Sequence, residues 1–218
     1  MSLNTGLIHY YKLESSSVDS VGSNNGTDTT ITYSGANGKV NNGAGFGGTS
    51  FIDIGNFALG SGDFTIAFWF KTTNVTVLQQ LIGKDVSGKR EYTITIGATS
   101  GKVSFLDFIS SNNITSSISS VNNTWEHICI TRISNLLEIF NNNVSGGTAA
   151  NTKNYADTTK PIQFGAREFV GFRGFLTGAM DEIGFWNRGL TSSEITELYN
   201  SGTGLTYPFP SSSMLIMF

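Results

Sequence analysis

An all-β sandwich of two antiparallel sheets is the fold class this sequence predicts, and three features predict it. Apolar residues recur at period two in many short runs, the signature of strands with one face against a core. Those runs are separated by clusters of glycine, asparagine, serine and threonine at intervals typical of a sandwich. Charged residues make up only 13% of the chain, and one short segment carries helix punctuation. At 218 residues the chain is long enough for one sizeable core. The division is one domain over residues 1–206, then a proline-containing connector and apolar tail over 207–218.

The opening strand alternates Leu7, His9, Tyr11 and Leu13 with Ile8, Tyr10 and Lys12, so both of its faces are partly apolar. Phe64, Ile66, Phe68 and Phe70 alternate with Thr65, Ala67, Trp69 and Lys71, which marks a core strand. Burying those four apolar side chains is worth on the order of 6 to 12 kcal/mol before chain entropy is charged. Further strands are expected over 78–84, 91–97, 103–109, 125–133, 136–140 and 162–165. The gaps at 85–90, 99–101 and 141–143 supply residues that tolerate positive φ, so neighbouring strands return as hairpins. Near the end, Ile183 and Phe185 are in phase, and strict alternation puts Asp181 on the same face. Thr191 and Glu194 have the spacing of a capping box, Ile195, Leu198 and Tyr199 form an apolar stripe, and Gly202 offers a left-handed stop.

The segments 6–14, 19–27, 62–71, 125–131 and 178–202, in that order, closely resemble the laminin G-like, concanavalin A-like jelly-roll family over nearly the whole chain. The resemblance implies a two-sheet jelly roll with one short C-terminal helix. It also implies a structural calcium site pairing an N-terminal Asp/Asn loop with the aspartate of the last strand, which maps onto Asp19, Asn25 and Asp181. Calcium takes six to eight oxygen ligands, and a carboxylate beside core residues needs partners. The alternative is an Asp181 satisfied by backbone donors, with Asp19 a solvated loop residue.

A net charge of −3 and the absence of any basic run argue against nucleic acid. Cys129, the single cysteine, reads as a small buried hydrophobe. No stretch reaches membrane-spanning length, so membrane insertion is not expected, and no secretory signal is visible. Glucanases of the resembled superfamily carry a Glu-x-Asp-x-x-Glu run; none occurs here, and adjacent Asp181 and Glu182 are expected on opposite faces. The chain is therefore read as no enzyme.

The expected function is recognition of glycans or a cell-surface polysaccharide, displayed on a phage or virus particle as a fibre, tail or capsid-decoration component. The alternative is a purely structural virion protein that uses the sandwich for subunit packing. Ligand contacts are expected at Trp69, Tyr92, Arg167, Phe169, Phe172 and Arg173, where aromatic faces can stack on sugars beside hydrogen-bonding groups. Met214, Leu215, Ile216, Met217 and Phe218 form an apolar end. It either tucks against its own domain or docks on another virion subunit, giving an oligomer on the virion or extracellular surface.

Overall fold

The computed structural model describes residues 1–86, 89–99, 101–109, 111–167 and 174–210. In chain order the elements are β1 (Leu7–Tyr11), β2 (Thr27–Thr29), β3 (Thr32–Ser34), β4 (Gly43–Gly47), β5 (Phe51–Asp53), β6 (Phe64–Thr72), β7 (Gln79–Val86), β8 (Lys89–Thr99), β9 (Lys102–Asp107), β10 (Ile114–Ser119), β11 (Glu126–Ile133), β12 (Leu136–Asn141), β13 (Val144–Ala150), β14 (Gln163–Phe164), β15 (Thr177–Trp186) and α1 (Ser192–Tyr199). One sheet runs β13-β12-β11-β6-β15-β4-β3, with β1 also on β15, and the other runs β10-β9-β8-β7-β14-β5-β2. All the pairings are antiparallel, which confirms the two-sheet jelly roll with one short helix. The strands expected at the centre are present. The short strands β2 to β5 and the edge strands β10 and β13 escape the sequence reading, because runs such as Gly-Ala-Gly-Phe-Gly, Ile-Thr-Ser-Ser-Ile-Ser and Val-Ser-Gly-Gly-Thr-Ala-Ala are too short or carry too little apolar alternation.

The core lies where alternation places it. Phe64, Ile66, Phe68 and Phe70 of β6 and Ile128 and Ile130 of β11 face Ile94, Ile96, Val103 and Phe105 of the opposite sheet, all completely or almost completely buried. Tyr92 belongs to this interior too. It stacks on Phe105 at 5.4 Å and meets Tyr155 edge-on, so the expected ligand contact is a core residue. Its phase with Ile94 and Ile96 decides this.

A second apolar layer covers the outer face of the eight-stranded sheet. Tyr10, Ala67, Cys129 and Trp186 project outward and are roofed by Ile195 and Leu198 of α1 and by Phe209. Thr191 caps α1 and completes the capping box with Glu194, whose carboxylate also receives Arg188 at 2.7 and 2.9 Å. The helix stops at Asn200, which takes the left-handed conformation at φ 48° before the expected Gly202 is reached. Trp69 is on the outer face, as alternation requires, yet it is only 2% exposed. Tyr199 stacks on it at 5.7 Å, His127 packs at 5.1 Å, and the Lys39 ammonium sits 4.5 Å from its ring centroid. Trp69 is therefore an anchor for the helix and is closed to ligand.

At one end of the sandwich two cations are buried. Arg132 donates to the carbonyls of Gly60, Gly62 and Lys153 and to Asn151 Oδ1, while Lys84 donates to the carbonyls of Phe57 and Asp157 and pairs with Glu91 at 3.4 Å. Each closes loops whose carbonyls would otherwise be buried without donors. We predict that Phe68→Ala and Trp69→Ala each cost about 3 to 5 kcal/mol, since both leave a cavity in an enclosed layer. Urea unfolding of the two variants checks this; a markedly milder Trp69→Ala would show that the helix can collapse onto the gap.

Candidate ligand-binding shelf

The outer face of the eight-stranded sheet has two halves, and β15 divides them. Register with β6 runs regularly from Gly178 to Asp181, then shifts before Gly184, where Glu182 is inserted at φ 50°. One extra residue in a strand turns every following side chain to the other face. Met180, Ile183 and Phe185 consequently all face the interior, whereas Asp181 faces outward, paired with Trp69. This corrects two sequence expectations: Asp181 does not share the face of Ile183, and Asp181 and Glu182 do not diverge. Glu182 also reaches the outer layer, where its Oε2 accepts the Tyr10 hydroxyl at 2.5 Å.

Both carboxylates are buried. Asp181 accepts the backbone N–H groups of Lys39, Val40 and Glu182 at 2.8 to 2.9 Å, and burial still pushes its carboxyl up to about 7. Burial raises Glu182 to about 8, although the Tyr10 hydroxyl pulls the other way. Asp19 is different. Burial would raise it, but His9 at 2.7 Å and the N–H groups of Gly22, Tyr10 and Val21 outweigh that and hold it well below the usual carboxylate range. Asn25 Oδ1 accepts the N–H of Asp19.

The expected calcium set is thus split: Asp19 and Asn25 close the 19–25 loop, while Asp181 ties the 39–40 loop to β15. Around both carboxylates the partners are N–H donors, which satisfy an anion and oppose a cation. The residues present do not fit calcium, and among the described residues no group of three or more His, Cys, Asp or Glu is placed to hold a metal. His127 and Cys129 are likewise structural, because burial lowers the imidazole to about 3 and raises the thiol. Arg167 donates to Asp85 at 2.6 Å beside Arg90, so it serves an ion cluster. Phe169, Phe172, Arg173 and the residues from Met214 to Phe218 lie outside the described residues.

The half of the outer face that α1 leaves uncovered is made of cross-strand rows, of which the first is buried at Gly45 and Ala179 against the 35–40 segment and the next is exposed. In one row Lys71 opposes Ala179, Ala179 opposes Gly45, and Gly45 opposes Thr32. In the next, Thr73 bonds to the carbonyl of Thr177 at 3.1 Å, and Thr177 opposes Gly47. A Cβ at position 45 would lie 2.3 Å from Asn37 Nδ2 and displace that side chain, whereas one at position 47 would make an ordinary contact with Ser50 Oγ at 3.7 Å.

Two clefts adjoin these rows, the first where the chain crosses from β6 to β7 and the second against β3 and β4. One, of about 230 Å³, is lined by Thr73, Asn74, Val77, Gln79, Phe175 and Thr177. The other, of about 220 Å³, is lined by Thr30, Thr32, Asn37, Phe46 and the glycine backbones 45, 47 and 178. None of these residues is charged.

The first cleft has a fixed floor and an apolar wall. Gln79 Oε1 accepts Thr72 Oγ1 at 3.1 Å and Thr177 N at 2.7 Å, while its Nε2 donates to the carbonyl of Asn74. Asn74 Oδ1 is held by the backbone and hydroxyl of Thr76, so its amide nitrogen is the group presented outward. Val77 is 53% exposed and Phe175 is half-buried, its ring 6.4 Å from Phe51. The sequence reading singled out none of these side chains as a ligand contact. The available signal was the threonine-rich 72–76 run followed by Val77.

Two sheets with a helix laid over half of one outer face define a concanavalin A-like sandwich. The chain belongs to the Concanavalin A-like lectin/glucanases superfamily, whose family model Laminin_G_3 matches residues 46–196. It is similar to domain 4 of AbnA, a GH43 extracellular arabinanase from Geobacillus stearothermophilus solved in complex with arabinotriose: 18% identity, 88% of this chain and 97% of that one, TM-score 0.71. It is also similar to the binding domain of Paraclostridial Mosquitocidal Protein 1, at 19% identity over 90% of this chain and a TM-score of 0.72, where it spans 52% of that structure's length. A Trypanosoma rangeli sialidase mutant displaying trans-sialidase activity matches at 14% identity over 92% of this chain, a TM-score of 0.65 and 34% of its own length. A search of curated protein sequences finds no match. No helix among the described residues is long and apolar enough to cross a membrane.

Two predictions follow from the carboxylates. Asp181 and Glu182 bind protons more tightly in the folded chain than at their ordinary values of 3.8 and 4.5. Their contribution is therefore full below about pH 4 and is lost as pH rises through about 7 and 8. Asp19 and Glu194, whose carboxyls are depressed, act oppositely and contribute above the ordinary carboxylate range. The urea midpoint should fall between pH 5 and 9, and Glu182→Gln should flatten that fall; a rising midpoint would contradict it. Thermal melts in millimolar calcium and in excess chelator should coincide. A calcium-dependent rise abolished by Asp181→Ala would restore the metal reading.

Proposed function

We propose that this domain is a non-catalytic carbohydrate-binding module that works outside the cell, with its ligand seated on the open shelf. The observation that carries the reading is the first cleft, which sets the half-buried Phe175 and exposed Val77 beside the Asn74 amide and the Thr73 and Thr177 hydroxyls, with no charge in its lining. Sugars present C–H faces that stack on such rings and hydroxyls that bond to such amides. Family membership supports this, as does the arabinotriose held by domain 4 of the arabinanase, which is a property of that protein. Non-catalytic action is supported by the lining, since glycoside hydrolysis needs two carboxyl groups flanking the bond and neither cleft is lined by Asp or Glu.

Glycan-array screening followed by calorimetry tests the reading. A bound oligosaccharide is expected, and Phe175→Ala should weaken it at least about tenfold, the equivalent of about 1.4 kcal/mol. Asn74→Ala should weaken it less, with the melting temperature unchanged in both variants. Binding of no glycan, or binding unaffected by both substitutions, would reject this site. A sandwich that serves only to pack subunits of a particle would bind none.

A further inference from the structure

The tryptophans of this chain are not equivalent. Trp69 and Trp186 are enclosed, at 2% and 0% exposure, under α1 and the 205–209 segment, whereas Trp125 remains half-buried. Its place follows from register: Glu126 opposes Phe70, so the preceding residue lies beside Lys71 on the outer face. The Lys71 ammonium is 5.0 Å from the Trp125 ring centroid. That ammonium makes one hydrogen bond, to the carbonyl of Ala36 at 3.3 Å, and forms no ion pair among the described residues. An ammonium has three donors, so capacity is left for a ligand.

Lys71 and Thr73 are two residues apart on one strand face. A rise of about 3.3 Å per residue separates them by about 7 Å, the scale of one sugar ring. Thr73 lines the first cleft, and the 121–124 loop that leads into Trp125 is tied to the same strand end by the N–H of Asn123 on the carbonyl of Thr72 at 2.7 Å. The uncharged cleft and the Trp125–Lys71 pair are consecutive stations on one shelf. Along those stations Lys71 is the charged group.

Building on the carbohydrate reading, we propose that Trp125 and Lys71 form a second subsite, in which the indole stacks on a sugar ring and the Lys71 ammonium receives its carboxylate. The ligand class is then an oligosaccharide that joins neutral units to an acidic one, such as a uronic acid. The neutral units occupy the cleft at Phe175. A charge-assisted hydrogen bond to a carboxylate is stronger than a neutral one, and at this exposed position it is weakened by salt.

Calorimetry of the full chain with xylotetraose, and with the same tetrasaccharide bearing one glucuronic acid branch, tests this. At low ionic strength the acidic probe is expected to bind about tenfold more tightly than the neutral one. Lys71→Gln should reduce that preference to within about twofold. Trp125→Ala should weaken both tetrasaccharides but not a monosaccharide held in the cleft; Trp125→Phe, which keeps a stacking ring, should restore much of the loss and guards against a folding defect. Equal affinity for the two probes, or a preference that survives Lys71→Gln, would overturn the acidic subsite while leaving the carbohydrate reading intact. Absence of binding by both probes would overturn the acidic subsite, and absence of binding to every glycan on the array would overturn the carbohydrate reading as well.

Discussion

The arrangement depends on one extra residue in the central strand. β15 must pair with β6 along its whole length while exchanging its other partner from β4, over Thr177 to Met180, to β1, over Ile183 to Trp186. Glu182 at φ 50° marks that exchange. A non-glycine residue in this region is held against its own preference, by about 1 to 2 kcal/mol. The neighbouring Asp181 carboxylate, accepting the Glu182 N–H and two N–H groups of the 39–40 loop, helps to keep the bend in place. On one side of the bulge the outer face is apolar and roofed. On the other it is small and polar, and exposed at Thr73, Thr177 and Gly47.

That division explains why the two enclosed carboxylates and the open clefts occur on the same sheet without being parts of one site. The roofed half needs Trp69, Trp186 and Tyr10 as a platform for α1 and Phe209, and its carboxylates settle the backbone donors and hydroxyl at the seam. In the other half Gly45 and Ala179 lie buried against the 35–40 segment, and Thr73, Thr177 and Gly47 are the exposed positions. A ligand could lie on the second half only because the first half carries the helix. On the proposed reading, stability and recognition fall on different stretches of β15.

Much of the fold was legible because it depends on alternation that burial enforces. The phases of β6 and β11, the capping box of Thr191 and Glu194 and the interior place of Cys129 could all be read from residue types. Tyr92 could have been read as well, since it shares its phase with Ile94 and Ile96. The bulge was not legible, because such insertions are usually announced by glycine and this one is a glutamate. Strict alternation then carried Asp181 to the wrong face. Trp69 was assigned to the correct face, but nothing in its own strand shows that Tyr199, far along the chain, covers it. The shelf was hidden for a related reason: Gly45 and Gly47 look like turn residues until three strands are set side by side.

The first and last described segments meet. Asn4 Nδ2 donates to the carbonyl of Phe209 at 3.0 Å, and Trp186 donates to the carbonyl of Leu3 at 2.7 Å, both within the roofed half of the sheet. Polypeptide therefore enters and leaves this sandwich at one spot, on the stretch of β15 beyond the bulge from the shelf. A domain with that geometry can be placed in a loop of another protein, or strung in tandem, with little rearrangement of its host. In every such arrangement the tether attaches away from the clefts, so the same sandwich can serve as an interchangeable cartridge whose outward surface stays clear of whatever carries it.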